Sequence, residues 1–367
     1  MTHSSGSFAT GSFASRTAYA AAHVVADPYG GNAPGAPAAV DWDATLSFRR
    51  HLWSLGLGVA DAMDTAQRGM GLDWAATSEL IARSGAEARA VGGLLACGAG
   101  TDHLPAGPAD GLAAVQAGYE QQIEAVEAAG ARVILMASRQ LAATARGSED
   151  YQQVYGALLR QTRQPVILHW LGTMFDPALD GYWGGPGADL DAATDSVLAL
   201  IKEHAERIDG IKVSLLDADR EIALRAALPV GVRLYTGDDF HYPELILGGS
   251  DALLGVFDPI AVPAAAALRA LDAGDTARYE ALLAPTVPLA RHLFAAPTFH
   301  YKTGIVFLAW LAGHQDHFGM VAGAQSGRSA IHLLELHRLA LAAGILPDED
   351  LAAARLRQYC ELMGVHR

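Results

Sequence analysis

The sequence predicts a (β/α)8 TIM barrel followed by a C-terminal helical extension, and three observations predict it. Eight apolar runs of strand length alternate with stretches of helical periodicity, as repeated βα units do. The runs are apolar without interruption, which suits parallel strands covered on both faces. After the eighth run, roughly a hundred residues contain helical patterns and no further strand. The chain has 367 residues, 51% of them hydrophobic, enough for one large core in a barrel domain of this size.

The expected strands are 18–26, 57–64, 92–99, 132–138, 165–171, 209–215, 232–237 and 252–257. Helices are expected at 43–55, 74–90, 111–129, 150–162, 190–207, 218–227, 241–248 and 261–272. In the first, Leu46, Arg49, Arg50 and Trp53 recur at helical spacing; in the third, Leu112, Val115, Tyr119, Ile123 and Val126 do. The extension reads as helices at 275–294, 303–313, 327–343 and 348–363, the last opened by Pro347-Asp348-Glu349-Asp350 after Gly344. The organisation is then a flexible tail at 1–16, a barrel at 17–272 and an extension at 273–367. His23 interrupts the apolar run after Arg16, and a Ser/Gly-rich stretch precedes it, so 17–26 reads as a strand rather than a leader peptide.

The formal net charge is −14, from 26 basic and 40 acidic side chains, with no Lys/Arg cluster to override it. Such a surface repels a phosphate backbone or an anionic membrane, so the expected partner is a small molecule. Cys97 and Cys360 cannot build a disulfide framework, and no apolar run reaches the length of a membrane span. Both point to a reduced, cytoplasmic protein.

Chemistry concentrates around Asp209-Gly210-Ile211-Lys212-Val213-Ser214. A buried ammonium is costly unless it loses its proton or finds a partner. Near the C-terminal end of a barrel strand, desolvation leaves a neutral amine able to attack a carbonyl and form an imine. The bland alternative is a snorkelling side chain, or a pair with Asp209. One βα unit later, Gly237-Asp238-Asp239 ends a strand, where capping competes with a functional role.

A strand reading Gly-Ile-Lys, a next strand ending in Gly-Asp-Asp and a glycine-bearing last strand resemble the dihydrodipicolinate synthase/N-acetylneuraminate lyase family. The resemblance is carried mainly by residues 160–260. It implies a class I aldolase-type lyase without a cofactor, assembled as a homodimer or homotetramer, with Lys212 as the Schiff-base lysine. Where the family has a catalytic tyrosine, Pro165-Val-Ile-Leu-His169 supplies a histidine, which shuttles protons nearer neutrality; its alternative is a core histidine. Where the family has a Gly-Thr-Thr turn that holds a 2-oxo acid carboxylate, this chain has Met63-Asp64-Thr65. Thr65 can stand in for the second threonine, but Asp64 repels a carboxylate, which favours a sugar-derived keto compound over pyruvate.

Asp61, Asp102, Asp239 and Ser214 are further expected substrate contacts, and Arg139 is a handle for an acidic substrate. Two other classes stay open. Asp61, Asp102, His103, His169, Asp239 and His241 could supply a divalent metal site, although no tight ligand spacing supports one. A barrel that only binds a metabolite is the third reading. Phe299–Gly304 and Gly313–Phe318, rich in histidine, read as a junction or as cover for the mouth.

Overall fold

The computed structural model describes residues 13–365. Eight parallel strands close into a barrel in sequence order. They are β1 Ala18–Ala21, β2 Gly58–Asp61, β3 Leu95–Ala99, β4 Arg132–Leu135, β5 Val166–Leu171, β6 Ile208–Ser214, β7 Arg233–Thr236 and β8 Asp251–Leu254. Around them lie α1 Trp42–Ser54, α2 Trp74–Val91, α3 Gly111–Ala128, α4 Arg139–Thr144, α5 Ser148–Gln161, α6 Leu190–Glu203, α7 Ala218–Ala227, α8 Tyr242–Leu247 and α9 Ala261–Asp272. The extension adds α10 Thr276–Leu283, α11 Val287–Leu293, α12 Tyr301–Leu311, α13 Ala330–Ala342 and α14 Glu349–Met363. The expected fold class is the observed one.

Strand alternation builds two cores. Tyr19, Ala21, Ala60, Ala96, Ile134, Ile167, Tyr235 and Leu253 fill the barrel interior, while Val59, Leu168, Ile211 and Val213 join the layer shared with the helices. At the N-terminal face, Tyr235 donates to Asp209 at 2.6 Å, and Arg233 and Arg132 pair with the same carboxylate. Asp209 is therefore not the partner of Lys212; it belongs to the opposite end of the barrel.

The differences from expectation have local causes. Six of the eight expected strands run past the observed C-terminal ends, because the residues there turn into the βα loops; β3 and β5 end as expected, and β3 begins at Leu95 rather than 92. The helix expected at 275–294 is two, α10 and α11, joined by a 3-10 turn at Ala284–Thr286. Pro285 and Pro288 lack the amide hydrogen that a continuous helix needs. Ser138 starts the unexpected α4 by accepting a hydrogen bond from the Leu141 amide at 2.9 Å. Residues 13–16 are not a flexible tail: Phe13 is buried, and Ala14 and Ser15 donate to Asp272 at 3.0 and 2.7 Å. The rest of the expected tail, residues 1–12, lies outside the described residues. Among the described residues no helix is long and apolar enough to cross a membrane.

The extension is built on α12, whose every residue is buried. Helices α11, α13 and α14 pack against it. Arg355 of α14 donates to the carbonyl oxygens of Trp310, near the end of α12, and of Gln315 beyond it.

Behind the barrel wall, Glu221 of α7 is buried and accepts hydrogen bonds from Thr236 at 3.0 Å and Ser250 at 2.9 Å. Burial pushes its carboxyl from 4.5 to about 7, against the two hydroxyls and with help from Asp238. The folded state thus holds a proton that the unfolded chain has released, and stability falls as pH rises from about 4.5 to about 7. Glu221→Gln should flatten the urea-denaturation stability profile across that window. A slope as steep as that of the parent protein refutes the assignment.

Candidate active site

Alternation along β6 turns Ile211 and Val213 outward, so that Lys212 and Ser214 face the barrel interior. The register sets Lys212 beside His169 of β5 on one side and Tyr235 of β7 on the other. Lys212 is 7% exposed. The side chain needs Gly237 at the end of β7: a Cβ there would fall onto Ser214 Oγ and within 2.8 Å of Lys212 Cε. The first residue of the Gly-Asp-Asp turn is thus required for space.

Burial pushes the Lys212 amine below its ordinary range, and Asp64 and Asp239 oppose that shift. Among the described residues no carboxylate lies within ion-pair distance of its Nζ. The lysine is neither snorkelling nor paired. His169 is fully buried and held well below its usual range, first by burial and then by Lys212. Its Nε2 lies 3.4 Å from Ser214 Oγ, and its Nδ1 has no partner within the described residues. The imidazole is therefore neutral at physiological pH.

The two aspartates after Gly237 divide the work. Asp238 accepts from the amides of Phe240 at 2.8 Å and His241 at 3.1 Å, and faces the His241 ring at 2.9 Å. It caps the turn. Asp239 accepts from the Val256 amide at 2.8 Å, which ties β7 to the end of β8. Burial pushes its carboxyl up to about 7, while the Val256 amide and Lys212 pull it down. A buried amine and a carboxylic acid that titrates near neutrality thus act on each other across one strand gap.

A cavity of about 820 Å3 opens at the C-terminal mouth, on the β2–β5 side. Asp64, Asp102, Arg139 and His169 line it. Asp64 begins the 3-10 turn Asp64–Ala66, and its carboxylate accepts no hydrogen bond from a described residue. Asp102 is held at about 2: burial would raise it, but Arg68 and Gln122 hydrogen-bond its carboxylate and overcome that. Arg139 pairs with Asp176 and lies across Gly69.

Two expected contacts are not open to a ligand. Asp61 is a correction. It lies on the outer face of β2, fully buried, where Arg49 grips it at 2.7 and 3.0 Å and Ser84 donates at 2.6 Å. One residue of strand phase separates it from the interior position of Ala60. Thr65 is buried with its hydroxyl 2.8 Å from Tyr301 Oη. The metal ligand set is not assembled either: among the described residues no group of three or more His, Cys, Asp or Glu side chains could hold an ion.

The stretch from Phe299 to Gly304, read from sequence as a junction or as cover for the mouth, opens α12. Tyr301 stacks on Phe294 with centroids 4.4 Å apart, and Gly255 leaves both rings room to settle on the end of β8. Lys302 is 2% exposed, and burial pushes its amine down to about 8, with Asp64 raising it and Arg139 lowering it. The extension therefore covers the Lys212 side of the mouth. Asp176, Trp74 and Tyr301 carried no spacing signal; only tertiary contact brings them here. Arg68, four residues after Asp64, had such a signal.

A family model described as "Protein of unknown function (DUF993)" matches residues 3–365. No curated protein matches the chain. Solved structures share the fold. YagE, an Escherichia coli K12 prophage protein of the dihydrodipicolinic acid synthase family in complex with pyruvate, superposes with TM-score 0.71 at 14% identity, over 90% of this chain and 99% of its own. Dihydrodipicolinate synthase from Aquifex aeolicus gives 0.69 at 13% identity, over 90% and 99%. The 4-hydroxy-tetrahydrodipicolinate synthase of Methylacidiphilum fumariolicum SolV gives 0.66 at 16%, over 94% and 98%. The fold is that of the dihydrodipicolinate synthase family.

The placement of Asp61 has a direct consequence. Asp61→Asn leaves the buried Arg49 charge without its counter-ion, and should cost about 3 kcal/mol or more of unfolding free energy in urea. A loss under about 1 kcal/mol would show that the pair does not hold α1 to the barrel.

Proposed function

The chain belongs to the family of that model, and we propose that it is a Schiff-base-forming lyase of the class I aldolase type. Its substrate is a small carbonyl compound, a sugar-derived keto compound or a 2-oxo acid. One observation carries the reading: a buried lysine, free of any ion pair within the described residues, stands beside a neutral histidine at the mouth of the barrel. The fold shared with structures of the dihydrodipicolinate synthase family, one solved with pyruvate, supports it.

In this reading the Lys212 amine attacks the carbonyl carbon, and the carbonyl oxygen takes up a proton to give a carbinolamine. Loss of that oxygen as water leaves a protonated imine. Cleavage of the C–C bond one carbon further on sends its electron pair into the C=N+ system and gives an enamine. For C–O cleavage, removal of the α-proton gives the enamine first, and its electron pair then expels the oxygen, which takes up a proton and leaves as water. Protonation of the enamine carbon and addition of water return the amine and release the product. His169, neutral and beside Lys212, is the base that removes the proton before cleavage. Asp239, titrating at about 7, can both give and accept a proton at neutral pH. Ser214 orients the His169 ring; Asp64 and Asp102 offer oxygen acceptors to substrate hydroxyls.

Borohydride reduction in the presence of a carbonyl panel, followed by peptide mass analysis, should leave an adduct on Lys212 and none in Lys212→Arg. The labelling rate should rise with pH and level off below the ordinary lysine value of 10.5, because burial has lowered the amine. An adduct that maps to another lysine, or a midpoint at the ordinary value, refutes the assignment. Gly237→Ala, which pushes a methyl group against the Lys212 stem, should slow the same labelling about tenfold or more. Unchanged labelling would mean that the turn does not position the amine.

A further inference from the structure

We propose that the carbonyl carbon attacked by Lys212 carries no carboxylate, and that the substrate is a neutral hydroxyaldehyde or hydroxyketone. This rests on the imine reading above and narrows its substrate. Four features of the mouth argue for it together.

The hydroxyl that follows Asp64 in the chain is already hydrogen-bonded to the extension. Thr65 Oγ1 is bound to Tyr301 Oη at 2.8 Å, and both side chains are buried. The residue before it is Asp64, one of the two carboxylates whose charge acts on Lys212. A 2-oxo acid would set its carboxylate against that of Asp64.

The mouth's arginines do not rescue it. All five donors of Arg68 are committed, to Asp102, Gln122 and the Ala62 and Gly98 carbonyls. Arg139 stands on the rim, with 43% of its side chain exposed, paired to Asp176 and absent from the charges that act on Lys212. A carboxylate held there belongs at the far end of a ligand.

The charge that would attract an anion is also balanced from within. Lys302, buried on the extension, sets its charge against Asp64 and Asp176. The Asp64 oxygens still accept no hydrogen bond from a described residue, so they are available to hydroxyls on the carbons flanking the carbonyl.

Cyanoborohydride labelling of Lys212 with dihydroxyacetone, glyceraldehyde, pyruvate and 2-oxobutyrate tests this. Each rate is divided by that of the same compound with an N-acetyl-lysine amide, to remove intrinsic reactivity. The two hydroxycarbonyls should label Lys212 at least tenfold faster than the two oxo acids. Asp64→Asn and Asp64→Ser should each narrow that ratio about tenfold by raising oxo-acid labelling. Equal or faster labelling by pyruvate in the parent protein overturns the proposal while leaving the imine reading intact. So does a ratio that stays put in both variants once circular dichroism shows them folded. A Lys212 that takes up none of the four compounds, with surface lysines labelled in the same sample, sinks the imine reading and this proposal together.

Discussion

The structure turns on the cost of keeping one amine out of water without a counter-ion. An ammonium buried in this way is expensive, and burial pushes the Lys212 amine below its ordinary range against the pull of Asp64 and Asp239. The surroundings of Lys212 serve this. Below it, Ile134, Ile167, Tyr235 and Leu253 fill the barrel and separate it from the charged layer at the opposite face. That layer is neutralised within itself, by Asp209 with Arg132 and Arg233. A closed parallel barrel has no edge through which water could reach the interior strands, so the apolar section between the two charged layers stays dry.

The C-terminal extension is part of the same arrangement. A barrel mouth left open would solvate the lysine. Here α12 brings Tyr301 and Lys302 over it, and Phe294 and Tyr301 stack in the room that Gly255 leaves. Phe175, in the loop after β5, meets both rings edge-on. The residual opening lies on the other side, where His169 and Asp64 face the cavity. Asp64 and His169, the strand neighbour of Lys212, thus stand on the open side of the mouth.

Charge around the lysine is graded rather than simply acidic. Asp102 is locked by Arg68 and stays ionised, Asp238 is used up in its turn, and Asp239 exchanges protons near neutrality. Three carboxylates of similar sequence context thus differ because their donors differ. Guanidinium and side-chain amide donors stabilise the first charge, backbone amides spend the second, and burial destabilises the third. The same logic divides Asp61 from Asp64. Three residues apart, one is gripped by Arg49 outside the barrel, and the other faces the cavity with no donor among the described residues.

Much of this was legible in the chain. Uninterrupted apolar runs alternating with helical periods determined the barrel, because only strands covered on both faces need such runs. A lysine in one of them marked the chemistry, since an ammonium is not placed there without a reason. His169 and Gly237-Asp238-Asp239 were visible from their spacing to it. What the sequence left undecided is what depends on phase at strand ends and on contacts between distant segments. Whether Asp61 faces in or out hangs on a single residue where β2 gives way to its loop. Nothing local links Thr65 to Tyr301, which are 236 residues apart. Those contacts form only when α12 is packed into its own helical bundle and the barrel is closed, so the tertiary structure alone decided which polar groups remain free to meet a ligand.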